Sequence, residues 1–283
     1  MIPSKFDYAR PASVDEALAL LVEHGEGAKV LAGGHSLIPA MKLRLTDLTV
    51  LIDIGRIPGL SGIAASGGTV TIGALATHAS LAASADLHQH APALWDAANH
   101  LGDPQVRNRG TIGGAVAQAD PAADYPAVLR ALDASIELVG PNGTRSVKAD
   151  EFFTGMFETA LAPGELVKSV SFAAAPHSAC KKYRHPASHY AVVGVAVKLE
   201  MNGDTIASAR VAVAGVADSS FRAKGVEAAL AGVKPADSKA VEAATAGAAS
   251  GVAARADVFA SGAYRTAMTD VYAARAVEKA AKR

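Results

Sequence analysis

One cysteine, Cys180, is the only thiol in a chain of 283 residues, and that scarcity removes whole classes of chemistry. A single thiol forms no internal disulfide, and it cannot supply the several thiolates that an iron–sulfur cluster or a CxxC-type zinc site needs. Any redox chemistry carried here must therefore run on an organic cofactor. An excess of one charge is also missing. The 27 basic residues balance 27 acidic ones, and no basic run or aromatic-interleaved patch stands out, so a nucleic-acid partner is not expected. Apolar runs break well short of the ~20 residues of a membrane span. The first residues, MIPSKFDYARP, have no apolar stretch behind their lysine, so no membrane span and no secretory signal are expected, and the expected compartment is cytoplasmic. Four signatures are absent: the GxGxxG of dinucleotide folds, the GK[ST] of phosphate loops, the GxSxG of hydrolases and the HExxH of metalloproteases. No metal ligand set and no catalytic acid or base is assigned.

Half of the residues are apolar, enough for a sizeable core, and their periodicity divides the chain. Ser13 to Glu16 reads as a capping box opening a helix that Gly25 stops. A strand at Lys29 to Leu31, a short helix at Pro39 to Arg44 and a strand at Thr49 to Ile54 complete a small α/β unit, residues 1–57. Turn chemistry around Pro58 begins a second α/β unit, residues 58–175. It holds strands at Thr69 to Ile72, Ser135 to Val139, Thr144 to Val147 and Leu166 to Phe172. Its helices lie at Thr77 to Ala83, Pro92 to Leu101 and Tyr125 to Leu132, with a turn at Asp103-Pro104. Residues 176–283 read as two long strands, Tyr190 to Met201 and Thr205 to Ala214, joined by the hairpin signal Asn202-Gly203-Asp204. Alanine-rich helices come after them at Phe221 to Ala231, Ala236 to Ala249 and Ser261 to Ala281.

Two stretches carry the chemistry. VLAGGHSLIPAMKLRL, Val30 to Leu45, and RGTIGGAVAQADPAADYPA, Arg109 to Ala127, each read as a short strand running into paired glycines. Glycine admits positive φ and removes the Cβ that would hold a ligand off the backbone, so successive N–H groups can converge on an anion. Two such loops suggest a diphosphate held from both sides. Taken singly, AGGHS is as compatible with a tight turn. His35 has three readings: a structural turn histidine, a donor to phosphate, or a covalent flavin attachment point; the structural one ranks first. Carboxylates beside a diphosphate would repel it, so Asp120 and Asp124 either bond hydroxyls or a base N–H, bind a metal, or cap the helix starting near Asp124. Arg107 and Arg109 would balance phosphate charge, lie in a solvated loop, or pair with an acidic residue of another subunit. The cluster from Lys181 to His185 reads as a solvated strand edge.

With those residues assembled, the chain resembles the FAD-binding medium subunits of molybdenum hydroxylases, the carbon monoxide and xanthine dehydrogenase group. The likeness runs nearly end to end, through IPSKFDYARPASVDEAL, LAGGHSLIPAMKLRL, LIDIGRIPGL, DPQVRNRGTIGGAVAQADPAADYPA and HYAVVGVAV. It implies an α+β fold of the vanillyl-alcohol-oxidase (PCMH) type, in which two α/β subdomains clasp FAD and a C-terminal ββ-and-helices domain covers the flavin. By the same likeness Ala32, Gly33, Gly34, His35, Ser36 and Leu37 contact the cofactor from one side, and Thr111, Gly113, Gly114 and Ala117 from the other. Asp120 and Asp124 bond ribitol, ribose or nearby backbone, and Tyr190 lies beside the isoalloxazine ring. Ala115 departs from the family, which commonly carries Asn or Asp after TIGG; one side-chain contact is lost. The function implied is electron relay in a heterotrimer: from a large molybdopterin subunit, through a small iron–sulfur subunit, to FAD here and on to an external acceptor. The rivals are a self-sufficient flavin oxidase or dehydrogenase of the same fold and a flavin-free assembly subunit.

Overall fold

A computed structural model describes residues 2–283. Among them run β1 (Asp7–Ala9), α1 (Val14–His24), β2 (Ala28–Leu31), α2 (Leu37–Lys42) and β3 (Val50–Asp53). The next group is β4 (Ile63–Ser66), β5 (Thr69–Gly73), α3 (His78–Ala83), α4 (Ala85–His90), α5 (Pro92–His100), α6 (Pro104–Arg109), α7 (Ile112–Gln118) and α8 (Asp124–Ala131). After them come β6 (Ser135–Gly140), β7 (Gly143–Lys148), α9 (Ala149–Phe152), β8 (Phe153–Gly155), β9 (Glu158–Thr159) and β10 (Leu166–Ala173). The last group is β11 (Ser178–Arg184), β12 (Ala191–Asn202), β13 (Thr205–Ala214), β14 (Phe221–Arg222), α10 (Lys224–Ala229), α11 (Ser238–Thr245) and α12 (Gly262–Ala281). The α+β class expected from the sequence is the class observed.

Three larger sheets and a two-stranded β8-β9 ribbon organise these elements. The first is parallel, in the order β1-β3-β2, with Ala17 and Leu18 of α1 in the same core as Val50 and Ile52 of β3. Ser13 caps α1 by accepting the Glu16 N–H at 3.2 Å, while Glu16 reaches back to the Ala12 N–H at 2.6 Å, one residue earlier than the capping box anticipates. The second sheet is antiparallel, in the order β4-β5-β10-β6-β7, and shares a core with α5 and α8. The third, also antiparallel, runs β11-β12-β13-β14.

β12 and β13 show how the last sheet is held. From Ala191 to Val197 β12 is buried without interruption, so the in-out alternation of a one-sided sheet is lost. The alternation survives as size. Ala196, Ala212 and Ala214 face the core they share with α8, whereas Val193, Val195, Val197, Val211 and Val213 join the cluster containing Ala273, Ala276 and Val277 of α12. Small side chains let α8, and with it the Asp124 region, lie close on the sheet.

Several expected elements shift for local reasons. β1 has no counterpart among the expected strands, because three residues carry no readable alternation. Asp103-Pro104 is not a turn: Asp103 caps α6 by accepting the Val106 N–H at 2.8 Å, and Pro104 fills the first helical position. The segment before TIGG is therefore helix, not strand. Phe221 and Arg222 pair with Val213 and Ala212 before α10 begins, and α11 ends at Thr245, ahead of positive-φ glycines 247 and 251. The Lys181 region proves to be β11, a full strand paired along β12.

One buried carboxylate ties the last helix to the second unit. Asp96 on α5, 1% exposed, accepts the Cys180 N–H at 3.1 Å, the Lys279 ammonium at 2.7 Å and the Arg283 guanidinium at 2.9 and 3.0 Å. Removing one partner of a buried pair strands the rest, at a cost of about 3–5 kcal/mol. Asp96→Ala is therefore expected to lower unfolding stability by about 3 kcal/mol, since both cations keep some contact with water. Urea midpoints at constant slope measure it, and a loss near zero would show that α12 holds without the anchor.

Candidate functional site

The first glycine stretch leaves β2 and turns at Gly34, whose φ of +75° needs no side chain. Beyond the turn stands a run of free donors. No backbone N–H from Gly33 to Leu37 donates to another described residue; the first that does is that of Ile38, to the Gly34 carbonyl at 3.0 Å. Gly33, Gly34 and Leu37 are half-buried while His35 and Ser36 are exposed, so the run of free N–H groups opens toward solvent, where an anion can be received. His35 bends back instead, its Nδ1 lying 3.0 Å from the Gly33 carbonyl oxygen, in keeping with the structural reading.

TIGG is built differently. Thr111 caps α7, its hydroxyl accepting the Gly114 N–H at 3.1 Å, while Ile112 and Gly113 donate to the carbonyls of Ala76 and Ala74 at 3.0 and 2.8 Å. The amides of Ile112, Gly113 and Gly114 are occupied, so this side offers a close-fitting wall and a helix start in place of a run of free donors. The glycines allow that closeness. A Cβ on Gly113 would run into Ala74, and one on Gly33 would fall on the carbonyl of Arg109 and the Cα of Gly110. Gly33 thus joins the two stretches backbone to backbone.

Between them lies a cleft of about 430 Å³. Every cofactor contact implied by the family likeness lines it: Ala32 to Leu37 on one side, Thr111, Gly113, Gly114 and Ala117 on the other, with Asp120, Asp124 and Tyr190 at one end. Ala115 lines it as well. Arg107 and Arg109 do not, and Arg107 donates instead to the carbonyls of Leu101 and Gly102 at 3.2 and 3.0 Å.

Asp124 overturns the helix-cap alternative. Ala123 occupies the cap position, and Asp124 points inward to the Lys182 ammonium at 2.7 Å, both side chains being 3% exposed. Its other oxygen, Oδ1, is buried with no partner. Burial raises the Asp124 carboxyl, against the opposing pull of Lys182. Asp120 folds into a turn, Oδ1 accepting the Ala122 N–H at 2.8 Å, and burial raises its carboxyl too. Burial, then the charges of Asp120 and Asp124, raises the Tyr190 phenol.

Two lining residues escape sequence reasoning. Lys182 reads as strand edge, and only the unexplained basic character of Lys181-Lys182 hints at an inward partner. His78 carries no motif. It is buried beside the cleft, sharing a 3.0 Å hydrogen bond with the Tyr125 hydroxyl. His185 and His189 stand at a four-residue spacing that metal pairs use, but on a turn with His189 at φ +62°, and no group of three metal-ligating side chains exists among the described residues.

These residues fit FAD: free backbone donors suit a diphosphate, and a buried carboxylate oxygen with no partner suits a hydroxyl or N–H of a bound group. Comparisons with known proteins agree. The family described as the FAD binding domain in molybdopterin dehydrogenase matches residues 4–174, and that described as the CO dehydrogenase flavoprotein C-terminal domain matches residues 178–280. The carbon monoxide dehydrogenase medium chain of Hydrogenophaga pseudoflava is 44% identical over 228 residues, 80% of this chain and 79% of that one. The 6-hydroxypseudooxynicotine dehydrogenase complex subunit alpha of Paenarthrobacter nicotinovorans is 39% identical over 232 residues, 80% of this chain and 78% of that one. In a crystal structure of the Cu,Mo-CO dehydrogenase, a chain 38% identical superposes with a TM-score of 0.95, covering 100% of this chain and 99% of that one.

The geometry makes two outcomes testable. Gly33→Ala places a methyl group on unyielding backbone and is expected to cost about 1–3 kcal/mol, whereas Gly62→Ala, with open space around it, is expected to be near neutral. Equal thermal midpoints for the two variants would contradict the backbone contact. Burial, then the charges of His35 and Arg107, pushes His78 down from 6.5 to about 4. Between those values the unfolded chain binds a proton that the folded one refuses, so stability is complete above 6.5 and falls as pH drops toward 4. From pH 7 to 5 this one group is expected to cost about 2 kcal/mol. Denaturant unfolding of wild type and His78→Gln at both pH values tests it, and an undiminished pH dependence in the variant would refute the assignment.

Proposed function

The chain belongs to the FAD-binding domain family of molybdopterin dehydrogenases, and from that premise we propose that it is the electron-relaying flavoprotein subunit of a heterotrimeric molybdenum hydroxylase. Its partners are a large molybdopterin subunit that oxidises substrate, a small iron–sulfur subunit and an external electron acceptor; no nucleic acid takes part. The observation that carries the reading is the cleft, where one wall of free backbone N–H groups faces one wall of close-packed glycines. The single cysteine agrees, since this chain cannot hold the clusters itself. Bound FAD supplies the redox chemistry, accepting electrons from the clusters and releasing them to the acceptor.

Each site residue then has a task of holding or shaping. The amides of Gly33, Gly34, His35, Ser36 and Leu37 receive the diphosphate, with Ala32 leading the chain into the loop. Thr111, Gly113, Gly114 and Ala117 form the opposite face. Asp124 offers Oδ1 as acceptor while Lys182 neutralises it, Asp120 turns the chain beneath Tyr190, and the Tyr190 ring covers the isoalloxazine. None of these residues needs to move a proton. The division at 1–57, 58–175 and 176–283 belongs to the same proposal, supported by one principal sheet within each span. So does a cytoplasmic compartment, supported by the lone buried thiol. No helix among the described residues is long and apolar enough to cross a membrane. Relatives as similar as these belong to enzymes named for carbon monoxide and for 6-hydroxypseudooxynicotine, which supports substrate selection lying on the large subunit.

The test is to purify the chain with its partner chains and precipitate the complex with acid. Yellow colour released entirely to the supernatant, together with a large molybdopterin chain and a small cysteine-rich chain, is the expected result. Colour retained in the pellet would mean flavin bound through a residue such as His35 and would favour the self-sufficient oxidase. A complex without flavin would leave only an assembly role.

A further inference from the structure

His78 has one nitrogen that the fold does not use. The residue is 5% exposed, and its Nδ1 lies 3.0 Å from the Tyr125 hydroxyl oxygen. Tyr125 is fully buried and its hydroxyl meets no other described residue, so the O–H donates to Nδ1 and the ring proton rests on Nε2. Burial keeps the ring neutral at pH 7, pushing it down to about 4. Nε2 bonds no described residue and is not sealed in the core; it opens on the cleft that the ring lines.

That nitrogen stands at the seam of the two glycine stretches. A Cβ on Gly110 would fall 2.5 Å from Nε2, and a Cβ on Gly33 would fall 2.7 Å from the Gly110 α-carbon, so both glycines leave room at one spot. Gly33 also begins the run of free amides that ends at Leu37. A side-chain donor from the second unit therefore meets the backbone donors of the first. The charges that reach His78 are those of His35 and Arg107, and no carboxylate is among them, whereas Asp120 and Asp124 lie at the Tyr190 end. Stability gives no reason for an imidazole here. An apolar pair in place of His78 and Tyr125 would fill the same space with no polar atom left to satisfy, and the neutral ring weakens the fold as pH falls.

Resting on the reading that this cleft holds FAD, we propose that His78 is a further cofactor-binding residue, whose Nε2–H donates to the diphosphate opposite the amides of Gly33 to Leu37. The TIGG wall has its amides at Ile112, Gly113 and Gly114 engaged, so its side of the cleft gives a donor through the side chain that stands behind it. Tyr125 is a positioning residue that acts through His78. Its O–H fixes the tautomer, so Nε2 carries the proton and does not turn a lone pair toward phosphate oxygen.

Calorimetric titration of FAD into the complex, purified with its partner chains and stripped of flavin, tests this without turnover. His78→Asn keeps an amide beside the Tyr125 hydroxyl but reaches no further, and it is expected to weaken FAD binding about tenfold, the size of a lost hydrogen bond to a charged group. His78→Gln carries an amide N–H out to the place of Nε2 and is expected to stay within about threefold of wild type. Equal affinity in wild type and His78→Asn, or an equal loss in both variants, overturns the proposal. A measurement on the wild-type complex needs no substitution: FAD is expected to protect His78 from diethyl pyrocarbonate, read by peptide mapping, and an unchanged rate of modification overturns the proposal as well. A wild-type complex that takes up no FAD fails the relay reading itself, so the two failures are distinguishable.

Discussion

The contact between Gly33 and the backbone of Arg109 and Gly110 is the constraint on which the site depends. It brings a loop from the parallel first sheet against the helix pair of the second unit at a distance only glycine permits. Everything nearby conforms to that approach. His78 is buried under Gly110, whose own missing side chain leaves the imidazole its space, and α7 begins directly after Thr111 has bridged back to Thr77. Two glycine stretches far apart in sequence therefore face one cleft because one of them is pressed on the other.

The third sheet reaches the same cleft through β11. Its pairing along β12 turns Lys182 inward, and the alanines of β12 and β13 let α8 settle close enough for Asp124 to meet that ammonium. Asp96 works two residues back along β11, fixing the Cys180 amide and the end of α12. One strand thus carries both anchors, and Lys182 is positioned by packing decisions made along its whole length.

Much of this is legible in the sequence, and the limits have physical causes. The paired glycines and the trailing aspartates are readable because glycine and carboxylate have narrow uses, Tyr190 is readable only through the family likeness, and all of them line one cleft. The long strands β12 and β13 are readable through the Asn202-Gly203 turn and their apolar runs. What escapes is tertiary. Three residues of β1 carry no period; Asp103-Pro104 spells a turn and a helix start equally well; and Lys182 looks like any lysine until its partner 58 positions away is placed beside it. The different roles of the two glycine stretches are hidden too, since whether an amide is free depends on Ala74 and Ala76, residues outside either motif.

Stability does not account for the Lys182–Asp124 pair. Taking both charges out of water costs several kcal/mol each, and the pair recovers this fully only if every remaining donor and acceptor is met. Here Oδ1 is not met. An apolar pair of similar volume would hold α8 to β11 as well or better, because the surrounding alanines and valines already supply the packing. The charges are explained only by what they face, and they face the end of the cleft that Tyr190 and Asp120 also line. A carboxylate neutralised from behind and left with an open oxygen is a fixed acceptor that resists turning with solvent. Fixed dipoles of that kind are a means by which a protein can act on a bound flavin.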